Sequence, residues 1–100
     1  MELKEQIIND INTNKIILFM KGDKNAPRCG FSATVVKILN MYNVDYKSID
    51  VLQNPQIRID LSEHSNWPTI PQLFINGELV GGCDIAVELH NSGELNKLLS

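Results

Sequence analysis

The sequence contains few cysteines, no excess of basic residues and no long apolar run. Its two cysteines, Cys29 and Cys83, lie far apart, which excludes a disulfide-rich framework and favours a reducing compartment, where cysteine serves chemistry or metal binding. The net charge of −3 provides no basic footprint for nucleic acid. No segment approaches the roughly 18 apolar residues of a membrane span. We therefore expect neither nucleic acid nor a membrane as a partner.

The N-terminal segment also carries no recognisable targeting signal. Residues 1–13 contain Glu2, Glu5 and Asp10 and no continuous apolar stretch, whereas a signal peptide needs such a stretch and a transit peptide is rich in Arg and poor in acids. We expect a cytoplasmic protein, or the mature form of an imported one, for example in the mitochondrial matrix. The length of 100 residues predicts one domain, 1–100, with a single modest core.

The chain alternates between helical and strand patterns. Leu3, Ile7 and Ile11 recur at helical spacing, and residues 16–20 form an apolar run typical of a buried strand. An early βαβ crossover implies a parallel pair, and Asn76-Gly77 adds a hairpin. We therefore predict an α/β fold with a four-stranded mixed sheet flanked by helices on both faces. The expected helices span about 2–13, 30–42, 54–64, 84–91 and 93–99, and the strands 15–20, 45–50, 72–75 and 78–80, with a polar loop over 22–28.

The most informative segment is Cys29-Gly30-Phe31-Ser32. It has one thiol where a dithiol redox motif has two, with Ser32 in the position of the second cysteine. Because it lies between the strand-like run and a helical pattern, Cys29 is expected at a helix N-terminus, where the dipole favours the thiolate. A thiolate is both a nucleophile and a soft metal ligand. The alternative is a buried cysteine at a helix start with no chemical role.

Five motifs follow one another along the chain: Met20-Lys21-Gly22, Pro27-Arg28-Cys29-Gly30-Phe31-Ser32, Asp50-Val51-Leu52, Ser65-Asn66-Trp67-Pro68-Thr69-Ile70-Pro71-Gln72 and Asn76-Gly77-Glu78-Leu79-Val80-Gly81-Gly82-Cys83-Asp84. Together they resemble a single-domain monothiol glutaredoxin of the Cys-Gly-Phe-Ser type. The resemblance implies a thioredoxin-like fold, glutathione binding and a 2Fe-2S cluster shared between two subunits, held by Cys29 and glutathione thiolates. It also implies cluster transfer to acceptor apoproteins and pairing with a BolA-like protein.

The resemblance further implies which residues bind glutathione, which carries two carboxylates and one ammonium. Lys21, at a strand end beside the Cys29 loop, and Arg58, on the third helix, are expected to meet the glycine carboxylate. On the sequence alone, Arg58 is more readily interpreted as a solvated surface charge. Ile70 precedes Pro71, which is cis in the family. Its backbone is expected to pair with the cysteinyl part of glutathione.

Cys83 and Asp84 complete the implied glutathione site. Their backbone N–H groups at a helix start are expected to hold the γ-glutamyl carboxylate, and the Asp84 carboxylate can pair with the ligand ammonium. The alternative is that Asp84 is a helix N-cap, and one residue could fill both roles. Cys83 could be a small buried hydrophobe, a second redox thiol or a backbone donor, and we favour a structural and backbone role over cluster ligation.

Two function classes are consistent with these residues. A carrier would share its cluster between two subunits. A 2Fe-2S cluster needs four external ligands, and the Cys29 thiolates of two subunits supply two of them. An enzyme would use Cys29 alone to remove glutathione from proteins, with free glutathione resolving the mixed disulfide. A third possibility is a regulatory module that senses cluster status through a BolA-like partner. Phe31 could shield Cys29 or belong to the core.

Overall fold

The computed structural model of the chain describes residues 2–100. Within this part, five α-helices and six strands are joined by short connections, with one 3₁₀ turn at Val51–Gln53. The helices are α1 (Leu3–Thr13), α2 (Gly30–Asn40), α3 (Pro55–Ser65), α4 (Cys83–Ser92) and α5 (Glu94–Leu99). The strands are β1 (Ile16–Met20), β2 (Gly22–Asp23), β3 (Ala26–Pro27), β4 (Lys47–Asp50), β5 (Gln72–Ile75) and β6 (Glu78–Gly81).

The main sheet has four strands in the order β4-β1-β5-β6. β1 runs parallel to β4, with Leu18 opposite Ser48, and antiparallel to β5, with Leu18 opposite Leu73. β6 pairs antiparallel with β5 through the Asn76-Gly77 turn. The predicted α/β fold with a mixed four-stranded sheet is therefore confirmed, including its hairpin.

Apolar side chains cover both faces of this sheet. All five residues of β1 are buried, and its alternate side chains point to opposite faces. Leu18 and Met20 belong to a cluster with residues of α2, α4 and α5, whereas Ile17 and Phe19 belong to a cluster with residues of α1 and α3. Helices therefore pack on both faces, as predicted, and β1 lies between two apolar clusters.

The segment 22–28, predicted to be a polar loop, contains a second, two-stranded sheet formed by β2 and β3. The turn between them is made by Asp23, whose Oδ1 accepts hydrogen bonds from the N–H groups of Asn25 (2.7 Å) and Ala26 (3.0 Å). The N–H of Arg28 then donates to Lys21 O at 2.9 Å. A side-chain acceptor thus folds the segment back on itself and brings Cys29 to the end of β1.

Helix boundaries mostly follow the sequence signals. Asn54 caps α3 by accepting a hydrogen bond from the Gln56 N–H at 3.0 Å, and Pro55 occupies the first turn, as Asn54-Pro55 predicts. α2 ends at Asn40 rather than near 42. Across residues 2–100, no helix combines the length and apolarity needed to cross a membrane.

Candidate functional site

One groove brings together all six residues that the sequence singles out. Its volume is about 430 Å³. The predicted site residues that line it are Lys21, Cys29, Arg58, Ile70, Cys83 and Asp84. They come from segments widely separated in the chain, so the fold and not local sequence assembles the groove. Their roles toward a ligand stay predictions.

Two helix N-termini face this groove. Cys29 is the N-cap of α2, with an extended backbone (φ −149°, ψ 136°). Gly82 is the N-cap of α4, so Cys83 and Asp84 are that helix's first two residues. The N–H groups of a first helical turn have no partner within the helix and carry its positive dipole end. The groove therefore favours anions at two places, one at the thiol and one at the start of α4.

The Cys29 thiol is polarised toward the thiolate. Its sulfur makes no capping hydrogen bond of ordinary geometry, but the nearby N–H of Ser32 has the largest effect and lowers the pKa of the thiol. Burial opposes this, whereas the Phe31 N–H, the Ser32 hydroxyl and the Lys21 charge act in the same direction, and the net result is a pKa below the ordinary value. Cys29 is partly exposed. It can therefore react or ligate from the groove.

Ser32, which stands in the second cysteine position, has a structural task that sequence reasoning missed. Its side chain is fully buried, and its Oγ accepts a hydrogen bond from the Lys21 N–H at 3.1 Å. This bond ties the first turn of α2 to the end of β1. Ser32 therefore helps to fix Lys21 beside Cys29, and a sequence offers no signal for such a contact between two elements.

Cys83 has the opposite environment. Burial has the largest effect and raises the pKa of its thiol, and the charges of Asp84 and Cys29 add to this, while a hydrogen bond with the Thr34 side chain opposes it. The thiol is therefore held protonated near neutral pH. A thiol in this state is a poor thiolate ligand, and the structural and backbone role of Cys83 stays a prediction.

The alternative interpretation of Asp84 as a helix N-cap is wrong. The N-cap of α4 is Gly82, and no side chain caps this helix. Asp84 is exposed and lies in the first turn, where its charge complements the helix dipole. Because the Asp84 carboxylate caps no N–H group of α4, it is free to face the groove.

Close backbone packing shapes the wall of the groove at Gly81-Gly82. Gly81 has φ +143°, and a Cβ there would lie 2.8 Å from Ile85 Cβ. A Cβ on Gly82 would lie 3.2 Å from Pro71 O. The cis Ile70–Pro71 bond that the resemblance implies therefore packs directly against Gly82. The close packing of the chain therefore favours glycine at both positions, whether or not a ligand also approaches them.

Comparison with known proteins places this site in a family. The glutaredoxin family model matches residues 16–80. The chain belongs to the glutaredoxin family. It is 60% identical, over 95% of its length and 91% of the relative, to the probable monothiol glutaredoxin 2 of Rickettsia felis. This similarity confirms the monothiol glutaredoxin resemblance.

Solved structures similar to this glutaredoxin support the thioredoxin-like fold. Reduced poplar apo GrxS14 is 49% identical with a TM-score of 0.84, and the match covers 95% of this chain and 87% of the poplar chain. A buckwheat glutaredoxin–glutathione complex is 27% identical with a TM-score of 0.86, covering 97% of this chain and 86% of the buckwheat chain. The buckwheat structure is a complex of that glutaredoxin with glutathione.

Aromatic and histidine residues of this glutaredoxin take distinct positions. Phe31 is 64% exposed and lines the groove, so it belongs to the rim and not to the core. His64 is exposed in the last turn of α3. His90 Nδ1 lies 2.5 Å from the Tyr42 hydroxyl, a contact that the sequence did not reveal. In the part of the chain described, no three His, Cys, Asp or Glu side chains are grouped to hold a metal ion.

Proposed function

We propose that this monothiol glutaredoxin binds glutathione in the Cys29 groove and carries a labile 2Fe-2S cluster between proteins as a glutathione-bridged dimer. One observation supports the proposal most strongly. A single thiol with a lowered pKa lies in a groove that also contains two cationic side chains and a helix N-terminus. This arrangement suits a ligand that brings its own thiol and two carboxylates.

The charges of glutathione match the two ends of the groove. Lys21 and Arg58 are the cations available to its glycine carboxylate, and Arg can bind a carboxylate through two N–H groups at once. The N–H groups at the start of α4 suit the γ-glutamyl carboxylate, and Asp84 suits the neighbouring ammonium. In this orientation the glutathione thiol lies in the middle of the groove, beside Cys29.

The ligand count supports sharing of the cargo. Each chain offers one readily ionised thiol, because the pKa of Cys83 is raised, and residues 2–100 hold no grouped metal ligands of their own. The four thiolate ligands of a 2Fe-2S cluster would therefore come from Cys29 of two chains and from two glutathione molecules. The exposed Phe31 beside Cys29 supplies apolar surface for a second subunit or a BolA-like partner. Acceptor apoproteins would then receive the cluster in the cytoplasm or in an organelle matrix.

Anaerobic reconstitution with ferrous iron, sulfide and glutathione tests this proposal. We expect a visible cluster absorbance together with a shift from monomer to dimer in size-exclusion chromatography. Cys29→Ser and the omission of glutathione should each abolish both signals. Cys83→Ser is the matched control and should retain them. A colourless monomer from the unaltered chain would overturn the carrier proposal.

A glutathione-dependent thiol oxidoreductase is the second candidate, and the lowered pKa of Cys29 favours it. The Cys29 thiolate would attack the glutathione sulfur of a protein mixed disulfide and release the protein thiolate. A free glutathione thiolate would then attack that sulfur and yield glutathione disulfide and the Cys29 thiolate. Rapid turnover of a glutathionylated protein without cluster assembly would favour this enzyme over the carrier.

A further inference from the structure

The loop 67–71, which we call the proline loop, forms one wall of the groove through Thr69, Ile70 and Pro71. Within the described chain, its main-chain groups make no backbone–backbone hydrogen bond of their own. Side chains hold it instead. The N–H of Trp67 donates to Ser65 Oγ at 3.2 Å. The remaining bonds to this loop all come from one residue that follows it.

That residue is Gln72, the first residue of β5. Its Nε2 donates to Trp67 O at 2.9 Å and to Thr69 O at 3.1 Å, and it lies 3.5 Å from Ser62 Oγ on α3. One amide group thus binds two carbonyls that are two residues apart. These bonds turn both carbonyls toward the protein interior and restrict the backbone of the residues between and after them.

Gln72 is a polar residue in a buried position. Its side chain is fully buried, and its Oε1 has no hydrogen-bond partner among residues 2–100. An unpaired buried amide oxygen costs free energy that an apolar side chain of the same shape would avoid. The two bonds to the proline loop therefore explain a glutamine at this position better than a contribution to core stability does.

We propose that Gln72 is a positioning residue for glutathione binding, which fixes the proline loop so that the Ile70 backbone is ready to pair with an extended ligand. This inference rests on the proposed glutathione function. Strand-like pairing costs less binding free energy when the donors and acceptors already lie in place before the ligand arrives. Without the two Gln72 bonds, the loop must be ordered at the expense of binding free energy. Gln72 itself does not touch the ligand, because it lies behind the wall of the groove.

Gln72→Met tests the inference, since Met has a similar length, is apolar and donates no hydrogen bond. We expect the Kd for reduced glutathione, measured by isothermal titration calorimetry, to rise about tenfold. The pKa of Cys29, followed by thiolate absorbance, should not change, because the residues that polarise it belong to the first turn of α2 and to the end of β1, and none of them to the proline loop. Gln6→Met, an exposed substitution on α1, is the matched control and should leave the Kd unchanged.

Gln72→Glu guards against a variant that fails to fold. It keeps the side-chain shape, and as a neutral buried acid it can donate one of the two bonds, so its Kd should lie between those of the parent and Gln72→Met. Folded variants with the parent's Kd would overturn the inference while leaving glutathione binding intact. A parent chain that binds no glutathione would overturn the proposed function and this inference with it.

Discussion

Cys29 and Cys83 line the same groove but differ in chemistry because of their immediate neighbours. Cys29 is the N-cap residue of α2, and the nearby N–H groups of the first turn lower the pKa of its thiol. Cys83 is more buried and lies beside the carboxylate of Asp84, and this raises the pKa of its thiol. The motif around Cys29 predicted the first of these environments. The second depends on how α4 packs, which the sequence alone does not show.

This difference predicts selective alkylation. With iodoacetamide near pH 7, Cys29 should be modified at least about tenfold faster than Cys83, because the thiolate is the nucleophile. As pH rises, the Cys29 rate should level off below the ordinary thiol pKa and the Cys83 rate above it. Mass spectrometry of peptides after timed quenching measures both rates in one sample.

Cys29→Ser isolates the slower thiol and provides the control for this experiment. Its remaining thiol should react slowly at pH 7 and faster only in alkaline solution. The electrostatic description of the groove is wrong if Cys83 is alkylated first in the parent chain.

At the scale of elements, turn signals such as Asn54-Pro55 and Asn76-Gly77 predicted α3 and the β5–β6 hairpin, and apolar patterning predicted α1, α2 and β1, because these elements bury apolar side chains. The β2–β3 pair was missed for the same physical reason. Its strands have two residues each and bury little apolar surface, so they leave no alternating pattern. The pair depends on the Asp23 side chain and on the backbone of Gly22, which has φ +84°.

Gly22 is therefore expected to be sensitive to substitution. A Cβ there would lie 2.5 Å from Ala26 O and 2.7 Å from Arg28 N, and its positive φ is unfavourable for other residues. Gly22→Ala should lower the free energy of unfolding by about 2 kcal/mol or more. Urea denaturation followed by circular dichroism measures the change.

Gly30→Ala is the matched control for the same measurement. Gly30 is the first residue of α2, and beyond its chain neighbours and the backbone of its own helix no described atom lies within 4 Å of a Cβ placed there. This variant should match the parent or gain up to about 1 kcal/mol. Equal losses from the two substitutions would show that Gly22 is not specifically constrained.

At the scale of the whole molecule, the motifs predicted which residues meet in the groove, but not what holds them there. Lys21 is fixed by the buried Ser32 hydroxyl, and Thr69 by the Gln72 amide. These bonds join residues of different elements, and their geometry follows from packing around the sheet. Sequence patterns report the burial of one element at a time, so they could not reveal such links.

Asp50 provides a further link, between the end of β4 and the segment that precedes Cys29. Its Oδ1 accepts hydrogen bonds from the N–H groups of Gly22 and Leu52, both at 2.9 Å. Burial has the largest single effect and raises the pKa of this carboxyl, but the Leu52 and Gly22 N–H groups, Gln53 and the Arg28 charge together outweigh it and lower the pKa. A carboxyl with a lowered pKa stabilises the fold when it is ionised.

Asp50 should therefore make the stability of the whole molecule depend on pH in the acid range. Its contribution is fully present above the unfolded pKa of about 4 and is lost as pH falls through the lower folded pKa, because the native carboxylate must then be protonated. Asp50→Asn accepts weaker hydrogen bonds and does not titrate. We expect it to be less stable than the parent at pH 7, with a difference that closes as pH falls below about 4.

Urea unfolding from pH 7 to pH 2.5 measures this difference in the free energy of unfolding, and the exposed Asp45→Asn should show none at pH 7. A difference that stays constant over this range would contradict the role of Asp50, since only titration of its carboxyl can close it.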